Sequence, residues 1–330
     1  MISYLFYSIK FISLKINIMQ TILGSGGPVG NALARELKSF TPNIRLVSRH
    51  PEKVNQDDEL LKADLLNSEE VINAVNGSKV VYLTAGLPYD HKIWEKDWPV
   101  IMDNVLNACE KHAAKLVFFD NVYMYDKNEI PHMTEEANIA PPSKKGKIRA
   151  EIAAELMQRV KNGKLEALIA RSADFYAAED LKNSILAETV FKPLHQGKKA
   201  NWLGKADKVH SFTYVPDAAK ATALLGNSEK AFGEIWHLPT AAEPPSGKEW
   251  VEMIATELGV AAKYREIPRW MIRIMGLFMP VMRETVEMFY QNDRDYIFDS
   301  SKFASVFHFE ATPYYRAVTE IVEKQFSKPS

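Results

Sequence analysis

The chain has 330 residues, of which 46% are hydrophobic and 25% charged, and its formal net charge is -1. That length can bury a large core, and the near-neutral balance excludes a global field that would recruit nucleic acid or an anionic membrane. The single cysteine, Cys109, excludes an intrachain disulfide framework and a cysteine-rich zinc site; in its helix-like run it reads as a small buried hydrophobe.

In chain order, residues 1–18 are apolar but carry Lys10 and Lys15. They lack the basic start and small-residue cleavage site of a signal peptide and are short for a membrane span. We expect them to be a non-native or disordered leader, with Met19 opening the folded protein; the alternative is a weak membrane-associating extension. Strand-like runs at 20–23, 44–48, 59–63, 79–84, 115–119 and 166–171 then alternate with helix-like runs at 29–38, 68–75, 92–112 and 143–160. This alternation predicts an α/β fold, a doubly wound parallel sheet of the Rossmann type. Right-handed crossovers put the C-terminal ends of its strands on one rim, where ligands bind.

Beyond Arg171 the pattern loosens. It predicts a helix at 183–195, strand-like ends around Gly204 in 202–215, a helix at 216–225, a strand at 234–238 and a helix at 248–258. A very apolar stretch at 270–290, broken by Gly276 and Pro280, reads as a buried or lid-forming helix pair, with a membrane-surface anchor as the alternative. The expected organisation is a nucleotide-binding domain over 19–180 with a return segment near 205–240. Residues 181–204 and 241–330 would form a smaller, mainly helical substrate lobe.

The run Thr21-Ile22-Leu23-Gly24-Ser25-Gly26-Gly27-Pro28-Val29-Gly30 carries the strongest chemical signal. An apolar strand enters closely spaced glycines and leaves as an amphipathic helix. Amides at a helix N-terminus form an anion site, and glycines let a pyrophosphate approach. Gly24, Gly27, Pro28, Val29 and Gly30 are thus expected around the phosphates of a nucleotide cofactor. The second strand ends in Ser48-Arg49-His50 rather than in Asp or Glu. A guanidinium suits a 2′-phosphate, so Ser48 and Arg49 favour NADP, with NAD possible as the alternative.

The spacing Gly24-x-x-Gly27-x-x-Gly30 resembles the fingerprint of extended and atypical short-chain dehydrogenases/reductases, the epimerase/dehydratase branch. Further segments fit in the same order over about residues 20–239. The resemblance implies that Asp64 and Leu65 meet the adenine, that Thr84, Ala85 and Gly86 pass beneath the cofactor, and that Lys147 holds its ribose. Asn121-Val122-Tyr123-Met124-Tyr125 matches the family's Ser-x-x-x-Tyr segment, Arg171-Ser172-Ala173-Asp174-Phe175-Tyr176 its Arg-Pro-x-x-x-Tyr segment, and Phe212–Ala219 its return segment.

Two departures bear on catalysis. Asn121 stands at the Ser position and Ser143 at the Tyr position, four residues before Lys147. An aliphatic hydroxyl is far less acidic than a phenol of pKa about 10, so the usual acid is missing. Asn121 would orient a substrate oxygen. Tyr125, Tyr123, Tyr176, Asp120 and Asp174 are the substitute acids available on the rim, with Tyr125 carried as the catalytic candidate beside Asn121 and Lys147, although the family's tyrosine there is largely structural. The family's diphosphate-binding Arg is replaced by His210-Ser211, which argues against a nucleotide sugar; Trp202, His210, Phe212 and Trp236 could wall an apolar pocket instead. The basic run 144–149 is expected to face solvent or a cofactor phosphate. The expected function is an NADP-dependent oxidoreductase or epimerase-like enzyme of a small metabolite, the alternative a non-catalytic NAD(P)-sensing regulator. Nucleic-acid and integral-membrane partners are not expected; the reading is cytoplasmic, and a homodimer is compatible with it.

Overall fold

The computed structural model describes residues 18–177, 181 and 184–326. The first half alternates as β1 (Met19–Leu23), α1 (Pro28–Leu37), β2 (Ile44–Ser48), β3 (Glu59–Lys62), α2 (Ser68–Val75), β4 (Ser78–Leu83), α3 (His91–His112), β5 (Lys115–Asp120), α4 (Lys144–Lys161) and β6 (Ala167–Arg171). The second half follows as β7 (Phe175–Tyr176), α5 (Lys192–His195), β8 (Ala200–Leu203), β9 (Thr213–Tyr214), α6 (Val215–Gly226), β10 (Ile235–His237), α7 (Gly247–Glu257), β11 (Tyr264–Ile267), α8 (Arg269–Met275), α9 (Pro280–Val286), α10 (Ser301–Phe307) and α11 (Tyr314–Gln325).

Seven strands form one sheet in the order β10-β6-β5-β4-β1-β2-β3, all neighbours parallel. A parallel sheet is buried on both faces, and β5 shows how the sequence meets that demand. Its Leu116 and Phe118 join the core beneath α2, α3 and α4, while Val117 joins the core beneath α1 and α6. The chain reverses direction of winding between β1 and β4, which opens a crevice at the ends of those two strands.

The smaller C-terminal portion is mainly helical. Its core gathers Trp250, Val251 and Ile254 of α7, Val318 and Ile321 of α11, and Trp202 of β8 around Tyr176 and Phe212. The predicted helix at 183–195 is here a π-turn, Ala187–Phe191, running into α5. Phe303 of α10 packs back on the sheet, against Trp236. Of the 1–18 leader only Ile18 is described, its carbonyl accepting from Thr41 Oγ1 at 2.6 Å; the rest lies outside the described residues. Among the described residues no helix is long and apolar enough to cross a membrane.

Candidate active site

The glycine turn sits at the β1–β4 crevice. Gly24 has φ +93°, and a Cβ there would lie 2.4 Å from Ala85 Cα. Only glycine fits, because the chain after β1 crosses directly against the chain after β4. Gly30 is also close-packed: a Cβ would meet Thr84 Oγ1 at 3.2 Å and the Gly24 carbonyl at 3.3 Å. Gly27 differs, since a Cβ there would meet nothing within 4 Å. It is the N-cap of α1, which has Pro28 at its first position and no side-chain cap. Val29 is buried against Ala177 and Val215. The Gly26 amide bonds Asn31 Oδ1 at 3.2 Å, and the turn presents an open groove in front of the first amides of α1, which no side chain among the described residues caps, a cradle that fits a pyrophosphate.

Around this groove, Arg49 is exposed and Ser48 half-buried at the end of β2. Asp64 lies in an exposed turn; its Oδ1 accepts from the Leu66 amide at 3.0 Å, which leaves its other oxygen for a ligand. The Leu65 carbonyl accepts from Asn104 Nδ2 at 2.9 Å. Thr84 N–H bonds the Leu23 carbonyl at 2.9 Å, fixing Thr84, Ala85 and Gly86 beside the glycine turn.

The other side of the rim, after β5 and before α4, is organised differently. Asp120 is fully buried; Arg149 Nε donates to its Oδ1 at 2.7 Å, and Arg171 Nε lies 3.7 Å from its Oδ2. The Arg149 guanidinium is sandwiched against Trp98 and Phe118, at 4.5 and 4.7 Å from their ring centres. Arg171 Nη1 donates to the Tyr125 hydroxyl at 2.8 Å. That hydroxyl must then donate to His237 Nε2, 2.6 Å away, because a guanidinium cannot accept. His237 Nδ1 in turn faces the Asp299 carbonyl at 2.7 Å, so the ring is neutral with its proton on Nδ1. Burial depresses the His237 pKa to about 3.

This network corrects several sequence expectations. Tyr125 is fully buried with its hydroxyl bonded on both sides, which does not fit a proton donor to substrate. Asp120 is held as the counter-ion of buried arginines. Tyr176 packs among Phe212, Tyr214 and Trp250 in the C-terminal core. Ser143 is the N-cap of α4, accepting from the Gly146 amide at 3.0 Å. The basic run divides. Lys145 and Arg149, four apart, point inward, and Lys144 and Lys147 are exposed. Gly146 allows the inward packing, since a Cβ there would lie 2.2 Å from the Tyr123 carbonyl.

Asn121 and Tyr123 are left half-buried in this segment, the Tyr123 phenol sharing a hydrogen bond with the Tyr89 phenol. Asn121 Oδ1 accepts from the Tyr123 amide at 3.0 Å, so its amide nitrogen is left to meet a ligand. Tyr123 is half-buried and stacks on Trp94 at 6.2 Å. Burial, and secondarily the Asp174 carboxylate, push its phenol above the ordinary value, so it stays a neutral hydrogen-bond donor through neutral pH. Lys147 Nζ makes no hydrogen bond or ion pair with a described residue.

Sequence reasoning missed a cluster at the mouth of the cleft. Lys145 Nζ bonds Glu284 Oε2 at 2.7 Å and Glu287 Oε1 at 2.5 Å, and lies 4.5 Å from the Tyr89 ring centre. His91 faces the same Glu284 through its amide and Nδ1, at 3.0 and 2.9 Å. Burial works against the Glu284 carboxylate, but Lys145 and His91 hold its pKa down at about 2. The i, i+4 spacing of Lys145 and Arg149 with Ile148 and Ile152 was the available sign that both basic residues face inward.

Beside it, His210 Nε2 meets Asp174 Oδ2 at 3.2 Å, with the imidazole stacked on Tyr296 at 4.2 Å. Asp174, His210, Trp202, Phe212, Thr189 and Asn292 line a cavity of about 20 Å³, room for one water. Trp236 is not part of this wall; it packs on Phe303 and Phe307 at the sheet edge.

A doubly wound parallel sheet with a glycine turn and an uncapped helix at its switch point defines a dinucleotide-binding protein of the Rossmann type. The sequence profile of the NAD dependent epimerase/dehydratase family matches residues 21–237, and the chain belongs to that family. No curated relative matches the sequence. Among solved structures, UDP-N-acetylglucosamine 4-epimerase from Bacillus cereus is similar with a TM-score of 0.73 and 16% identity, over 95% of this chain and 98% of that one. A putative epimerase from Burkholderia cenocepacia gives 0.76 and 16%, over 94% and 98%. UDP-glucuronic acid 4-epimerase from Bacillus cereus, in complex with NAD, gives 0.75 and 15%, over 94% and 100%. At these identities the likeness is one of fold.

Proposed function

We propose that the protein is an NADP-dependent oxidoreductase or epimerase-like enzyme of a small metabolite other than a nucleotide sugar. The observation that carries the reading is the open groove at Gly27 in front of the uncapped α1, with Gly24 locked beneath Ala85. Gly24, Gly27, Pro28, Val29 and Gly30 would hold the pyrophosphate, Asp64 and Leu65 the adenine, Thr84, Ala85 and Gly86 the floor, and Lys147 the ribose. Ser48 and exposed Arg49 would take the 2′-phosphate. A bound nicotinamide would supply the hydride chemistry. Asn121 and Tyr123 would direct two donors at one substrate oxygen and stabilise charge developing on it. The His210–Asp174 pair would bind a polar group of the substrate deeper in the cleft. A single imidazole is a weak clamp for a diphosphate, which supports a smaller and less charged substrate than a nucleotide sugar.

The test is a thermal titration with NADP, NADPH, NAD and NADH, followed by NADPH oxidation on metabolite pools. Stabilisation by NADP(H), lost in Arg49→Glu, with turnover lost in Asn121→Ala and Tyr123→Phe at unchanged cofactor affinity, is the expected result. Stabilisation by NAD(H) alone would overturn the 2′-phosphate assignment. The second reading, a non-catalytic NAD(P) sensor, is favoured by one observation: the position of the usual tyrosine holds Ser143, bound to a helix amide. Tight cofactor affinity with no turnover on any pool would select it.

A further inference from the structure

The apolar stretch that the sequence marked as buried or lid-forming is a helical hairpin, α8 and α9, with its hydrophobic side turned outward. Ile272 packs inward, against the core of Ile267 and Phe289. Trp270 and Ile274 stand one turn apart on the outer face of α8, and in the turn that follows the exposure rises to 78% at Leu277 and 83% at Phe278. Scattered exposed hydrophobics need no explanation, but a contiguous patch of this kind marks an interaction site. The turn is also self-contained: the amides of Leu277, Phe278 and Met279 bond back to carbonyls of α8 at 2.9–3.1 Å, so entry into an apolar medium strands none of them.

Charge identifies the partner. Arg269 and Arg273 form a parallel stripe beside the apolar one, and Arg283 stands on α9; all three are exposed, and none forms an ion pair with a described residue. Between Glu266 and Glu284 the sequence contains no acidic residue. A twofold contact of this patch with a second copy would bring arginines together with no local carboxylate to neutralise them. Lipid phosphates meet that need, and Trp, Leu and Phe flanked by arginine are the side chains that settle at the headgroup–acyl boundary. The hairpin is anchored through Glu284 to Lys145 and His91, so it is a fixed projection of the cleft wall. We propose that the α8–α9 hairpin docks this protein on an anionic lipid surface, with Trp270, Ile274, Leu277 and Phe278 entering the boundary and Arg269, Arg273 and Arg283 meeting headgroup phosphates.

The experiment is co-sedimentation of the full chain with vesicles of phosphatidylglycerol mixed with phosphatidylcholine, and with vesicles of phosphatidylcholine alone. Binding is expected to the first, at least about tenfold weaker to the second, and weakened by salt. Leu277→Ser/Phe278→Ser should lower it about tenfold or more, and Arg269→Ala/Arg273→Ala/Arg283→Ala should remove the preference for anionic lipid, all with unchanged melting. Leu277→Cys carrying an environment-sensitive dye should shift to the blue on anionic vesicles; Cys109 is buried and does not compete for label. The proposal is overturned by absence of binding to anionic vesicles, or by binding that the serine pair leaves intact, which would place the contact elsewhere in the chain. It is equally overturned by a concentration-dependent dimer that the serine pair dissolves, or by a blue shift caused by nicotinamide nucleotide without lipid, which would make the hairpin a lid.

Discussion

The two sides of the cleft stand on the same sheet edge and use their polar groups in opposite ways. The β1–α1 side leaves the first amides of α1 open to the crevice, with no side-chain cap on that helix. The β5–α4 side is rich in polar side chains and ties most of them to one another: Asp120 to Arg149, Arg171 to Tyr125, Tyr125 to His237, Ser143 to the helix it caps. A binding surface made of backbone survives changes in side chains. One made of side chains is lost when packing claims them.

The largest effect that would test this contrast is on the buried ion pair. Arg149→Met removes the closest partner of the Asp120 carboxylate in the core and leaves it only Arg171 Nε at 3.7 Å and the Asn121 amide, so unfolding free energy should fall by about 3–5 kcal/mol in urea titrations. The double change with Asp120→Asn should cost less than the sum of the singles; simple additivity would show the two residues act independently. On the other side, Gly24→Ala forces a Cβ into Ala85 at positive φ and should cost about 2–4 kcal/mol as well as NADPH affinity. Gly27→Ala meets open space and should change stability by under about 0.5 kcal/mol, so that only nucleotide affinity reports it.

Tyr125→Phe strands Arg171 Nη1 and should cost about 1–3 kcal/mol while leaving cofactor affinity intact. Loss of turnover at unchanged stability would restore Tyr125 as a catalytic residue and break the contrast. Acid titration separates the two buried clusters. His237 has a folded pKa of about 3, below the ordinary 6.5, so the unfolded chain takes the proton first and stability falls as pH drops from 6.5 toward 3. Glu284, held at about 2 against an ordinary 4.5, contributes stability that is complete above 4.5 and is lost as pH falls toward 2. His237→Asn should therefore flatten the loss between pH 6.5 and 4.5, and Glu284→Gln the loss below 4.5, in melting measured across pH. The smallest effect is at exposed Lys147: Lys147→Ala should leave stability within about 0.5 kcal/mol of the parent and report only through cofactor affinity.

The sequence by itself determined the sheet, the glycine turn and the family. Strand and helix periodicities are local, and the positions of Gly24, Gly27 and Gly30 answer to the geometry of a single turn. Only the tertiary structure decided which polar residues reach the cleft. Tyr123 and Tyr125 are two apart in one segment, yet one stacks on Trp94 at the rim and the other is enclosed by Arg171 and His237, residues 46 and 112 positions away. Lys145 and Lys147 divide in the same way, because Glu284 and Glu287 arrive from a hairpin far along the chain. The apolar stretch 270–290 was legible as helices but not as an exposed face: hydrophobicity tells a residue's preference for leaving water, and only the neighbours that the fold brings, or fails to bring, decide whether it does.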